Sequence, residues 1–166
     1  MAPDHDPVDS AWKIHTAIVD WTGKVDSKAS FALAIESAVL AGVISMTGGR
    51  RRLANLGGWA EVLFWSGMVF LLASLLCVVY VVRPRLRSKQ VSAESASNFI
   101  FFGHLKDWNA EKLEEALRQE DVLPVLSRQL VNMSRIAWDK HRMLQLSLTG
   151  AAIAGGLISV AALLND

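Results

Sequence analysis

Cysteine is nearly absent. Cys77 is the only one in 166 residues, which excludes an intramolecular disulfide scaffold and a cysteine-built metal site. His5, His15, His104 and His141 have no metal-ligand spacing with one another. No glycine-rich phosphate loop opens a helix, and there is no nucleophile elbow. Neither catalysis nor a metal centre is expected. Charge of one sign is also lacking: the formal net charge is +1, and no nucleic-acid polymer is expected as a partner. The first 28 residues carry Asp4, Asp6, Asp9, Asp20 and Asp26 and no uninterrupted apolar core before a cleavage-like site, so no removable signal peptide is expected.

Apolar residues are abundant, at 52% of the chain, and they come in blocks. The longest runs from Trp59 to Val82, and from Ala60 onward its only charge is Glu61. At about 1.5 Å per residue such a helix crosses a hydrocarbon layer of roughly 30 Å. It stops at Arg83-Pro-Arg-Leu-Arg-Ser-Lys89, a cluster of cations that resists translocation and places this end in the cytoplasm.

Upstream, Met1 to Asp9 reads as a polar tail, with Asp9 or Ser10 as a helix cap. Ala11, Ile14, Ile18, Trp21 and Val25 then fall on one stripe of an amphipathic helix. Trp12 and Trp21 suit the headgroup region, so the helix is expected to lie on the membrane or pack on a partner helix. Ala29 to Met46 is a second span, with Ser30, Ala34, Ala38 and Gly42 forming a small-residue ridge for close helix approach. Glu36 lies about 12 Å along the helix from Lys28, within the hydrocarbon, where a carboxyl group must be paired, wetted or protonated. Two readings stay open: it lines a water path or bonds subunits together, or it is protonated and bonded to a residue such as Ser66, Ser74 or Thr149.

Gly48 to Gly58 is a short connection between spans carrying Arg50, Arg51 and Arg52. Eleven of the 17 cations lie between Arg83 and Arg142, and Lys13, Lys24 and Lys28 precede the hairpin. The balance puts the connection outside and the amino terminus in the cytoplasm.

After a serine-rich exit over Ser88 to Ser97, the cluster Asn98-Phe-Ile-Phe-Phe-Gly-His104 is too short to span and too apolar to remain in water. Asn109 caps a helix from Ala110 to about Arg118, and Pro124 fits the first turn of the next helix, with Asp121 before it. Leu123, Leu126, Leu130, Met133, Ala137 and Leu144 form a three-four seam interrupted by Lys140. Arg128, Arg135 and Arg142 share another face, either as a phosphate ladder or as an ordinary solvated face. Met143 to Leu164 is the third span, with four-residue ridges at Ser147, Ala151, Gly155 and Ser159 and at Ala152 and Gly156. Three crossings place the carboxyl end outside.

The expected architecture is an all-α integral membrane protein with three transmembrane helices, an amphipathic N-terminal helix and a small cytoplasmic helical insertion. Its parts are 1–28 (tail and amphipathic helix), 29–82 (hairpin), 83–142 (cytoplasmic segment) and 143–166 (third span).

Asp26-Ser-Lys-Ala-Ser30 leading into a span, Asn98 to His104 after the second span, and a long helix ending at Asp139-Lys140 before the third resemble the transmembrane effectors of Pycsar anti-phage systems. The similarity covers roughly Trp12 to Leu164 and rests on order and spacing. Glu36 stands where that family would have a small or neutral polar residue. The resemblance implies a bacterial inner-membrane protein, a homo-oligomer, that answers a cyclic pyrimidine mononucleotide, cyclic UMP or cyclic CMP, made by a partner pyrimidine cyclase. It would impair the inner membrane so that the cell dies before phage are released.

Such a ligand needs donors for its phosphodiester and a surface for its base. Arg128 and Arg135 are the candidates for the phosphate, and Phe101, Phe102, His104 or Trp108 for the base. Those aromatics also suit a plug between the cytoplasmic helices and the membrane. The competing readings are a scaffold subunit of a membrane assembly, with no ligand of its own, and a holin-like pore.

Overall fold

The computed structural model describes residues 6–48, 53, 56–84 and 98–165. The tail at 1–5, Arg50 to Arg52, the cations from Arg85 to Lys89 and the whole serine-rich exit at 88–97 lie outside the described residues. The described residues hold five helices and no strand: α1 (Pro7–Met46), α2 (Trp59–Val82), α3 (Phe102–Leu105), α4 (Ala110–Gln119) and α5 (Val122–Leu164). Helices α1, α2 and α5 are long and apolar enough to cross a membrane.

The first of these starts earlier than the sequence suggests. Pro7 occupies its first turn, where a missing N–H is harmless, and the Val8 N–H donates to Asp6 Oδ1 at 2.9 Å. It also continues without a break: the expected surface helix and the expected span form one helix of 40 residues. Nothing between Val25 and Ala29 stops it, because Ser27 and Ser30 return their hydroxyls to the carbonyls of Gly23 and Asp26 and leave the backbone ladder intact. The three-four seam and the third span likewise form one helix of 43 residues.

The chain divides into two units, one from the described residues of Met1–Thr22 and Pro84–Trp138, the other from those of Gly23–Arg83 and Asp139–Asp166. In the first, Phe99, Ala116 and Val125 are buried together, with Ile100, Leu105, Trp108, Leu113 and Val122 packed on them. The apolar cluster after the second span thus finds its partners on α4 and the start of α5. Asn109 accepts the Lys112 N–H at 2.9 Å and caps α4, and Asp121 Oδ1 accepts the Leu123 N–H at 3.0 Å at the start of α5. Asn109→Ala is expected to destabilise this unit by about 1 kcal/mol, measured by hydrogen exchange over α4.

In the second unit the buried positions of α2 are Ala60, Phe64, Gly67, Leu71, Ser74, Val78 and Val81, in alternating steps of four and three. That seven-residue period is the signature of left-handed helix packing. Val25, Ala29, Ala32, Glu36 and Val43 of α1, and Leu144, Ser147, Ala154, Ile158 and Ala161 of α5, are buried too. The four-residue ridges do not form this seam: Ser30, Ala34, Ala38, Gly155, Gly156 and Ser159 are exposed. A four-residue repeat drifts around a helix relative to the 3.5-residue seam, so only its members nearest the seam, such as Ser147, turn inward.

Outside this core the surface is apolar: Phe31 is 72% exposed, Leu76 71% and Leu163 69%. Such a surface suits lipid or other membrane helices and not water. Trp59 and Tyr80 stand near the two ends of α2, roughly 31 Å apart along the helix, which matches the hydrocarbon thickness.

Lys140, which breaks the sequence seam, donates to both oxygens of Asp26 at 2.6 and 2.8 Å. The Lys140 side chain is 12% exposed and that of Asp26 42%. Asp26→Ala strands a largely buried ammonium, and because the carboxylate is half in solvent the expected loss is about 1–2 kcal/mol, read as a fall in Tm in detergent.

Candidate functional site

In the first unit a cavity of about 550 Å³ is lined by Asn98, His104, Ser127, Arg128, Gln129, Val131 and Asn132. Four polar or charged contributors come from one stretch of α5, at positions 127, 128, 129 and 132, which wrap a little over one turn. Asn98 and His104 reach the cavity from the segment before α4. His104 is buried, and Phe101 stands edge-on to it, with ring centroids 5.4 Å apart and planes at 76°. Phe101 also leans on Phe102 at 4.5 Å. The Phe101 ring lies over Gly103, so a Cβ there would push the ring aside.

Of the residues singled out in the sequence, Arg128 and His104 share this cavity. Arg135 is exposed on α5 two turns further on and does not line it. Trp108 packs edge-on against Phe99 at 6.0 Å, within the apolar core. Phe102 is 69% exposed and does not line this cavity. Asn98, Ser127, Gln129 and Asn132 escaped sequence reasoning, since amides and hydroxyls on one turn of an amphipathic helix look like any solvated face. The neighbourhood of Arg128 was the only available signal.

Chemically the lining is one guanidinium, one imidazole, three amides and a hydroxyl. The guanidinium suits a phosphate oxygen pair. The amides each present a donor and an acceptor, as the edge of a nucleobase does, and the imidazole offers a flat face. A site of this volume falls within the roughly 300–1,000 Å³ of small-molecule pockets.

In the second unit, Glu36 is 3% exposed, Ser74 2% and Ser147 0%. Ser147 Oγ donates to Glu36 Oε1 at 2.7 Å, and Ser74 Oγ donates to the Ser147 carbonyl at 2.8 Å. The partner of Glu36 is therefore Ser147; Ser74 is one step removed.

A profile for the Pycsar effector protein domain matches residues 10–165, nearly the whole chain. The chain belongs to the Pycsar effector family. No curated protein and no solved structure matches it. Pycsar effectors of this class are membrane-disrupting, non-catalytic proteins of antiviral defence, signalled by a cyclic nucleotide. The three apolar helices and the lipid-ready exterior of this Pycsar effector are the structural counterpart of that activity.

Proposed function

We propose that this chain both receives the signal and carries out the damage. The cavity of the first unit takes a cyclic pyrimidine mononucleotide, with Arg128 on the phosphodiester, His104 against the base and the Asn98, Gln129 and Asn132 amides reading its edge. One observation carries the reading: the residue suited to a phosphate and the residue suited to a base meet in one cavity of suitable size. The ligand acts by binding one arrangement of the helices better than another. Because α1 and α5 each contribute to both units, a shift at Arg128 has a continuous helix along which to reach the membrane bundle.

In this reading the protein sits in the bacterial inner membrane with its amino terminus and first unit in the cytoplasm, where a partner cyclase makes the nucleotide. Copies associate through the outward small residues of α1 and α5. Calorimetric titration of the detergent-solubilised protein tests the receptor role. Saturable binding of cyclic UMP or cyclic CMP, with none of cyclic AMP, is expected. Binding of none of them would move the sensor to another protein and favour the scaffold reading, and toxicity without any cyclase would favour a holin-like pore.

A further inference from the structure

The polar residues buried in the second unit among the described residues, Glu36, Ser74 and Ser147, gather at one level of the bundle. They separate two apolar clusters. On one side lie Val25, Ala29, Ala32, Val78, Val81 and Leu144, and on the other Val43, Leu53, Phe64, Ile158 and Ala161. Along α2, Ser74 stands roughly 12 Å from the Val82 end, well inside the hydrocarbon.

One atom of the layer is short of a partner. The layer's two hydroxyl protons are committed, one from Ser147 to Glu36 Oε1 and one from Ser74 to the Ser147 carbonyl. The two hydroxyl oxygens also lie within hydrogen-bond distance of each other, at 3.3 Å. Glu36 Oε2 is buried with no hydrogen-bond partner among the described residues. A layer serving only to fix register would be satisfied in full, since a partly satisfied buried polar group weakens the packing around it. A water molecule carries the donors that Oε2 lacks.

We propose that the Glu36–Ser147–Ser74 layer is where water enters the bundle when the effector acts, and that Glu36 lines the resulting path and makes it selective for small cations. At rest the layer is closed between the two apolar clusters. Loosening either cluster lets water reach Oε2, which gains donors it does not have at rest, so the wet arrangement is favoured at this level alone. A carboxylate lining a narrow wet path attracts cations and repels anions. The inference rests on the family's membrane-disrupting activity and not on the nucleotide cavity.

The test measures ion leakage in cells producing the chain with a pyrimidine cyclase, and in vesicles holding the purified protein under opposed potassium and chloride gradients with cyclic UMP or cyclic CMP added. The wild type is expected to pass potassium at least roughly tenfold better than chloride. Glu36→Gln, nearly isosteric, keeps the fold and the leak but brings the two ions close to parity. Glu36→Leu joins the two apolar clusters, so it raises Tm by several degrees and lowers leakage at least roughly tenfold, while nucleotide binding by calorimetry is retained.

Equal passage of both ions by the wild type, unchanged selectivity in Glu36→Gln, or wild-type leakage in Glu36→Leu overturns the proposal. So does the absence of any leak from the wild type in both settings. Leakage in cells from a protein that binds neither nucleotide would refute the receptor reading and leave this one standing on its selectivity.

Discussion

Arg128→Ala is expected to weaken binding of the cyclic pyrimidine mononucleotide about 10- to 50-fold, while Arg135→Ala changes it less than about threefold. The two arginines are seven residues apart on α5, and the sequence treats them as equivalent. The structure does not: Arg128 lines the cavity and Arg135 does not. A charge-assisted hydrogen bond to a phosphate is worth about 1.5–3 kcal/mol, and the open side of the cavity puts the expected loss in the lower half of that range.

Calorimetry on each variant gives the ratio, and dye entry in cells with a cyclase gives the consequence for the membrane. Helix content and detergent Tm should be unchanged in both, because neither guanidinium belongs to either core. Equal losses in the two variants would mean that the phosphate sits along the helix face and not in the cavity, and the proposed receptor geometry would be wrong. Asn132→Ala provides the intermediate case, removing one amide and costing about 1 kcal/mol, or roughly fivefold in affinity.

Long apolar blocks announce themselves in a sequence because nothing but lipid or a deep core tolerates them, and so the three helices able to cross a membrane were legible. So were the Asn109 cap and the role of Asp121, since a short polar side chain before a helix has few other uses. The continuity of α1 was not. A change from amphipathic to uniformly apolar composition looks like a boundary, yet it records only a change of surroundings, and a helix without proline passes through it.

The seam between the helices was hidden for a related reason. Ser30, Ala34, Ala38 and Gly42 form a conspicuous four-residue ridge, but small residues favour close approach to any neighbour, including one outside the chain. The inward set mixes large and small residues on a seven-residue repeat, so size alone does not reveal it. Glu36 was recognisable as costly from its depth, but its partner depended on helix register, which brings Ser147 within reach and leaves Ser66 and Thr149 out. The cavity was the least legible part, because its amides carry no pattern until Asn98 and His104 fold against α5.

Gly67→Val should force apart two helices of the membrane bundle. A Cβ at Gly67 would lie 2.7 Å from Ile158 Cγ1, 3.2 Å from the Ala154 carbonyl oxygen and 3.3 Å from the Ile158 backbone nitrogen. The first contact is with the stem of a buried, β-branched side chain, and the other two are with backbone, so relief requires α2 and α5 to separate. Overpacking of this kind costs about 1–3 kcal/mol, or about 3–10 °C in Tm for a chain of this size.

The penalty falls on the arrangement in which the two helices touch. If the membrane-damaging arrangement has them further apart, a loss of about 2 kcal/mol shifts the balance toward it roughly 30-fold. Gly67→Val is therefore expected to reduce colony counts on induction without any cyclase. Gly42 and Gly155 are the controls. Nothing lies within 4 Å of a Cβ at either position, so alanine there should be neutral or stabilising by up to about 1 kcal/mol through helix propensity. A Gly67→Val protein with wild-type Tm and colony counts would mean that α2 and α5 do not approach closely at rest. Loss of activity in Gly155→Leu with Tm intact would instead place contacts between copies on the outward ridge, where one chain alone leaves the glycine with no neighbour.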